Sequence, residues 1–202
     1  WKRVADAVHA DGGQLVVQFM HVGRIAHPDN NGGLQSVSST AKAPGGEMFT
    51  AGGMKPFPAP RALETAELPG VAAEFADAAT RAVRAGVDGV ELHAANGYLL
   101  HQFLADGVND RTDEFGGGPE NRARFVVDVA KATVAAIGAD RVGIRISPGH
   151  PFNDVSDDDL SVYETLVAQL AELNLAYLHV LAEADDPIVA KLKAIWPNTF
   201  VL

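Results

Sequence analysis

Apolar runs of strand length alternate with segments of helical periodicity along this chain, and that alternation narrows its fold more than any other feature. Gln14–Met20, Val87–His93, Val142–Ile146, Ala176–Val180 and Phe200–Leu202 read as strands, the first as a buried one. A helix is expected at about residues 1–10, and a second over 70–85, where Val71, Phe75, Ala78, Ala79 and Val83 recur at helical spacing before Gly86. Pro119 opens a helix that runs to about Ile137, with Phe125, Val126, Val129 and Val134 on its inner face and Gly138 as its stop. Asp157–Asp159 supply an acidic start to a helix carrying Leu160, Tyr163, Leu166, Val167 and Leu170, and a last helix spans about Pro187 to Ile195. Strands joined through helices run parallel, because a tight turn cannot return the chain in the same direction. No Gly-x-Gly-x-x-Gly follows a strand and no Gly-Lys-Ser/Thr loop occurs, so a dinucleotide-binding or P-loop sheet loses ground to a TIM-type (β/α)8 barrel. Only five strands are legible where a closed barrel needs eight, so the chain reads as one incomplete α/β barrel domain over residues 1–202. Residues 24–68, rich in Gly, Pro, Ser and Asn, show no clear periodicity and read as a long functional or mobile loop.

Composition removes several function classes. With 202 residues and 47% hydrophobic content, the chain can bury a sizeable core. Its net charge of −10, from 16 basic against 26 acidic side chains, argues against nucleic acid as a partner. Cysteine is absent, which excludes disulfides, thiolate metal sites and a cysteine nucleophile, and fits a reducing cytoplasm. No apolar run approaches the roughly 20 residues of a membrane span, so no membrane role is expected. The N-terminus, Trp1-Lys2-Arg3-Val4-Ala5-Asp6, has no signal-peptide core and begins inside an amphipathic pattern, as though the chain starts in the middle of something.

In a barrel, chemistry sits at the C-terminal ends of the strands. Those ends carry Gln18 and His21, then His93, Arg145 and His179. The densest cluster is Val90-Glu91-Leu92-His93-Ala94-Ala95-Asn96-Gly97-Tyr98. His and Asn can both donate to one developing oxyanion, and Tyr can deliver a proton nearby. The competing reading is a histidine satisfied by the following loop and a tyrosine buried against a helix. Other candidates read as structural. Arg111 with Asp113, and Asn121 with Arg122, are expected to form buried salt bridges or caps that lock a loop. His101 is expected to pack, and His179 to be a satisfied core histidine. His21 and Arg24 are expected chiefly to order their loop, and Asp157–Asp159 to form a solvated helix start. Seven histidines without His-x-His or His-Glu-x-x-His make a metal improbable.

Gln18-Phe19-Met20-His21-Val22-Gly23-Arg24, Glu91-Leu92-His93-Ala94-Ala95-Asn96-Gly97-Tyr98-Leu99-Leu100-His101-Gln102-Phe103-Leu104 and Asn109-Asp110-Arg111-Thr112-Asp113-Glu114-Phe115-Gly116-Gly117 follow one another in order. Glu120-Asn121-Arg122-Ala123-Arg124-Phe125 and Gly143-Ile144-Arg145-Ile146-Ser147-Pro148 complete the series. Together they resemble the Old Yellow Enzyme family of FMN-dependent ene-reductases, and the match spans nearly the whole chain. The resemblance implies a TIM barrel holding FMN at its mouth, with NAD(P)H as reductant and an α,β-unsaturated carbonyl compound as the small-molecule substrate. It implies that His93 and Asn96 bind the substrate carbonyl and that Tyr98 gives the proton, a role suited to a phenol, which keeps its proton at neutral pH. It also implies that Gln18 and Arg145 contact the pyrimidine edge of the flavin, where a permanent cation favours the reduced form. Gly118 stands where the family commonly has Ser, and Phe115 where it often has Tyr; both lie in a supporting loop.

The same resemblance implies that the family's first two strands and its last, with the glycine-rich loops and Arg that hold the FMN phosphate, lie outside these residues. Three functions therefore stay open at this point. The chain is part of an active ene-reductase, completed by further sequence, a second chain or another copy. Or it is a flavin-free incomplete barrel that self-associates. Or it binds a small ligand without redox turnover. The first is preferred. In the first two, a homo-oligomer or a complementing segment would cover the open, apolar sheet edges.

Overall fold

The computed structural model describes residues 1–202. Its elements in chain order are α1 (Lys2–Ala10), β1 (Val16–Phe19), β2 (Val37–Ser38), β3 (Glu47–Thr50), β4 (Gly53–Pro56), β5 (Arg61–Ala62), α2 (Leu68–Arg84), β6 (Gly89–Ala94), α3 (Leu99–Leu104), α4 (Pro119–Ile137), β7 (Val142–Ile146), α5 (Ser161–Ala171), β8 (Tyr177–Val180), α6 (Pro187–Ile195) and β9 (Thr199–Val201). The expected elements all form, with ends that move by a few residues. The 24–68 segment differs from expectation. It holds a parallel pair, β2 with β5, and an antiparallel hairpin, β3 with β4. Its strands are two to four residues long, too short to declare a period of two in the sequence.

The main sheet is all parallel, in the order β1-β6-β7-β8-β9. That order climbs without reversing, whereas a doubly wound sheet reverses at its switch point. The sheet is therefore an arc of a barrel, with β1 and β9 as edges bonded on one side only. Strand β1 is consequently less buried than its apolar run suggested: Val16 and Met20 are each 47% exposed.

Register sorts the two faces. Leu92, Ile144 and Leu178 pair side by side, so their side chains leave the same face. Together with Val90, Ala94, Val142, Ile146 and Val180 they bury against the helices. There they meet Phe75 and Ala79 of α2, Phe125, Val126 and Val129 of α4, Leu166 and Leu170 of α5, and Leu192 of α6. Phe125, tilted against Phe103 at a centroid distance of 4.5 Å, anchors this layer. Burying one such ring contributes about 1.5–3 kcal/mol, which is why apolar periodicity dictates the helix positions. The alternate positions face the other way. Gln18, Glu91, Gly143 and Tyr177 form one row, and His93, Arg145 and His179 the next towards the C-terminal ends. The inner face of the arc is thus polar at its mouth.

Candidate active site

Strand β6 delivers His93 to the mouth, and the chain then turns sharply. Asn96 and Gly97 both take left-handed backbone conformations, φ 54° and φ 76°. Asparagine tolerates that region and glycine favours it. A Cβ at Gly97 would stand 2.5 Å from the Phe152 carbonyl oxygen, so the close approach of the 150s segment also requires glycine. The turn ends at Tyr98, the N-cap of α3.

The backbone around this turn is pinned on every side. Asn96 N–H donates to Ser147 Oγ at 2.8 Å, and its carbonyl accepts from Asn153 Nδ2 at 2.7 Å. Gly97 N–H donates to His101 Nδ1 at 2.9 Å, and its carbonyl accepts from Gln102 Nε2 at 2.7 Å. Leu99 N–H donates to the His21 carbonyl at 2.9 Å, tying the turn to the exit of β1. The Asn96 side chain is left over: its Oδ1 is buried and has no partner.

His93 is 4% exposed, and its Nδ1 accepts the Ala95 N–H at 3.2 Å. Burial first, then the Arg145 guanidinium, push this imidazole down to about 4, with Glu91 opposing. At neutral pH the ring is uncharged, and the bond from Ala95 assigns its proton to Nε2. The Tyr98 ring stands edge-on to it, centroids 5.1 Å apart at 86°. His93 and Tyr98 are therefore in contact, with Asn96 in the turn between them.

Glu91 organises the row beneath. It accepts from Gln18 Nε2 at 2.6 Å through one oxygen and lies 3.0 Å from His179 Nδ1 through the other. Burial, then the Glu91 charge, raise the Tyr177 phenol well above its ordinary range. A Cβ at Gly143 would collide with that phenol ring, so only glycine lets Tyr177 lie across β7 towards Glu91. Arg145 sits one row closer to the mouth with a buried Nε that has no partner. This guanidinium and a Gln18 amide carbonyl left free by the bond to Glu91 could meet an acceptor and an N–H on one heteroaromatic edge, such as the pyrimidine ring of a flavin.

The register thus puts Gln18, His93 and Arg145 on one face, with Tyr98 against His93 and Asn96 in the turn between those two. The fold corrects several structural expectations. His101 packs but is also hydrogen-bonded on both ring nitrogens. His179 is satisfied by Glu91, yet its side chain is 30% exposed on the inner face and lies outside the core. Asp158 and Asp159 do form a solvated helix start, Asp159 Oδ1 accepting the N–H of Ser161, the first residue of α5, but the Asp157 side chain is 1% exposed against His101. Asp159 pairs with Arg122 at 2.6 Å, so Arg122 is locked across to the 150s segment; Asn121 instead bonds the Gly116 carbonyl. Arg111 and Asp113 do pair, at 2.5 Å, and the Arg111 hydrogen bond, ahead of smaller contributions, holds the Asp113 carboxyl down to about 2. His21 accepts from Gly23 N–H, and Arg24 bonds the Asp154 carbonyl at 2.6 Å, so both order their loops. Sequence reading passed over Glu91, Ser147 and Gln102. Glu91 carried a usable signal, since it stands two residues before His93 and so shares its face.

Residues 1–191 match the family model described as NADH:flavin oxidoreductase / NADH oxidase family. The chain is 44% identical over 228 aligned positions to 12-oxophytodienoate reductase 7 of Oryza sativa subsp. japonica, covering 100% of this chain and 58% of that protein. It is 46% identical over 185 positions to chanoclavine-I aldehyde reductase fgaOx3 of Penicillium roqueforti (strain FM164), covering 90% and 48%. Among solved structures, morphinone reductase in complex with tetrahydroNAD superposes with a TM-score of 0.93 at 38% identity, covering 99% of this chain and 58% of that one. The old yellow enzyme homologue of Zymomonas mobilis gives a TM-score of 0.93 at 32% identity, covering 99% and 59%. The chain spans about half to three fifths of the length of these relatives.

Proposed function

Because the chain belongs to the NADH:flavin oxidoreductase / NADH oxidase family, we propose that it carries the catalytic part of an FMN-dependent NAD(P)H oxidoreductase that reduces the C=C bond of α,β-unsaturated carbonyl compounds. FMN, when bound, supplies the hydride that it takes from NAD(P)H to the substrate β-carbon. The chain's own residues do the rest. His93 Nε2–H and the Asn96 side-chain amide hold the substrate carbonyl oxygen and take up the negative charge that grows on it. A neutral imidazole suits that task, because it donates without surrendering its proton to the oxygen. Tyr98, beside them, gives its phenolic proton to the α-carbon. Gln18 and Arg145 face the flavin's pyrimidine edge, where the guanidinium favours negative charge on the reduced ring.

The observation that carries this reading is a neutral His93 whose Nε2–H has no acceptor within the fold, followed in the turn by an Asn96 whose side-chain Nδ2 likewise donates to nothing within the fold. A satisfied structural histidine and asparagine would have spent those groups within the fold. Apolar exposure at Val16 and Met20 along β1 and Val201 on β9 supports cover of the two edges by a second copy or by a complementing segment.

The test is to mix the chain with FMN, remove free flavin by gel filtration, and read the visible spectrum before adding NADH and 2-cyclohexenone. The reading expects retained flavin, weaker retention in Arg145→Ala, and enone-dependent NADH consumption. A protein that stays colourless, or that consumes no NADH with the enone present, would overturn it for this chain.

A further inference from the structure

Behind the Asn96 turn lie three buried ionisable side chains that the proposed chemistry does not use. His101 Nε2 stands 2.9 Å from Asp157 Oδ2 and 2.8 Å from the Tyr163 hydroxyl. Tyr163 donates to the same carboxylate oxygen at 2.5 Å. Tyr163 is fully buried, and the His101 and Asp157 side chains are 0% and 1% exposed. They come from α3 and from the stretch that leads into α5, so two distant parts of the chain converge on one cluster.

Burying a carboxylate, an imidazole and a phenol together is expensive, and apolar side chains would fill the same volume more cheaply. What the cluster adds is its contact with the turn. His101 Nδ1 accepts the Gly97 N–H at 2.9 Å. A ring nitrogen accepts only when it carries no proton, so the imidazole proton must sit on Nε2, facing Asp157 and Tyr163. The carboxylate orients the ring through Oδ2 alone, because Asp157 Oδ1 is buried with no partner. Burial pushes the Asp157 carboxyl up, but the hydrogen bonds from His101, Tyr163 and the Gly149 N–H outweigh it and leave it lowered. Burial, then the Asp157 charge, raise the Tyr163 phenol, which keeps it a donor. The next residue, Gln102, holds the Gly97 carbonyl at 2.7 Å. Consecutive side chains of α3 thus grip both peptide groups of the residue that separates Asn96 from Tyr98.

We propose that His101 is the positioning residue of the carbonyl-binding turn: Asp157 and Tyr163 hold its imidazole in the neutral Nε2–H tautomer, so that Nδ1 captures Gly97 N–H and fixes where Asn96 and Tyr98 stand. The roles of Asn96 and Tyr98 rest on the function proposed above, whereas the tautomer and the Gly97 bond do not.

The experiment combines nitrogen-15 NMR of the histidine-labelled chain with amide exchange at Gly97 and enone kinetics. Because Nδ1 accepts the Gly97 N–H, the nitrogen-15 shifts of His101 in the unmutated chain at neutral pH should report a bare Nδ1 and a protonated Nε2. His101→Leu removes the acceptor and should speed Gly97 exchange roughly tenfold or more. In His101→Asn, Oδ1 stands as many bonds from Cα as Nδ1 does in histidine, and it should restore most of the protection. With FMN, NADH and 2-cyclohexenone, His101→Leu should lower kcat on the order of 10²-fold with a smaller change in KM, and His101→Asn should recover most of it. An imidazolium or an Nδ1–H tautomer at neutral pH would overturn the proposal, and this measurement needs no variant to fold. Equal Gly97 exchange in the leucine variant and the unmutated chain, or no recovery with asparagine, would also overturn it. If the unmutated chain shows no turnover, the proposed function fails, while the tautomer and exchange data still decide the role of His101.

Discussion

The rings of His93 and Tyr98 stand edge to face, 5.1 Å apart at 86°, so the two side chains for which we propose carbonyl binding and proton delivery also support each other through packing. Such a pair contributes about 0.5–1.5 kcal/mol beyond its buried area. Tyr98→Phe keeps the ring and should leave unfolding stability unchanged to within about 0.5 kcal/mol. Tyr98→Leu loses the aromatic contact and should cost about 1 kcal/mol in urea titration. Equal losses in the two variants would show that the hydroxyl, rather than the ring, supports the fold.

Acid should weaken the fold through His93. Its folded-state value of about 4 lies below the ordinary 6.5 of the unfolded chain, so between those limits the unfolded chain binds the additional proton. This residue therefore withdraws stability progressively as pH falls from about 6.5 towards about 4. Protonation also puts a hydrogen on Nδ1, where it meets the Ala95 N–H that now donates there. His93→Gln should flatten the acid limb of the stability profile relative to the unmutated chain, as thermal unfolding at a series of pH values would record. NMR titration should find His93 neutral, with its proton on Nε2, until close to pH 4.

Gly97→Ala tests the turn without touching a functional group. The new Cβ would face a positive φ of 76° and stand 2.5 Å from the Phe152 carbonyl oxygen. Left-handed strain and overpacking together should cost about 2 kcal/mol or more. Denaturant unfolding measures the loss, and flavin retention should fall much less than enone turnover, since Gln18 and Arg145 stand on other strands.

Arg111 joins three loops. Its guanidinium donates to the Ser39 carbonyl at 3.0 Å, to the Leu63 carbonyl at 2.6 Å and to Asp113. Arg111→Ala removes the donors to two carbonyls and leaves Asp113 with only the Thr65 hydroxyl and the Phe115 N–H, and should cost about 1–3 kcal/mol. Local hydrogen exchange should rise in the 36–40 and 61–65 segments, where β2 and β5 pair, before it rises in β6.

Much of the barrel arc was legible because its determinants are local. Pro119 and Gly138 bracket α4, and the apolar period inside it can face only one core. The polar mouth was legible at Gln18, His93 and Arg145, because each ends or nears the end of an apolar strand. What escaped notice depends on distant partners. Asp157 looks like a surface acid in a run of three, and only the return of α5 onto α3 buries it against His101. Strand β1 reads as buried because its residues are apolar, but burial requires neighbours on both sides and β1 has one. The hairpin of β3 and β4 presents Phe49 and Met54 to solvent, at 73% and 56% exposure, so its pattern does not separate inside from outside.

We propose that Tyr98 delivers the proton to a carbonyl compound held by His93 and Asn96. Rapid-mixing kinetics of Tyr98→Phe against the unmutated, FMN-loaded chain tests it most directly, by timing flavin reduction by NADH and flavin reoxidation by 2-cyclohexenone separately. Reduction by NADH should be unchanged, and reoxidation by the enone should slow by about 10²–10⁴-fold, the usual contribution of a positioned proton donor. Reoxidation at the unmutated rate, or an equal slowing of both steps, would contradict it.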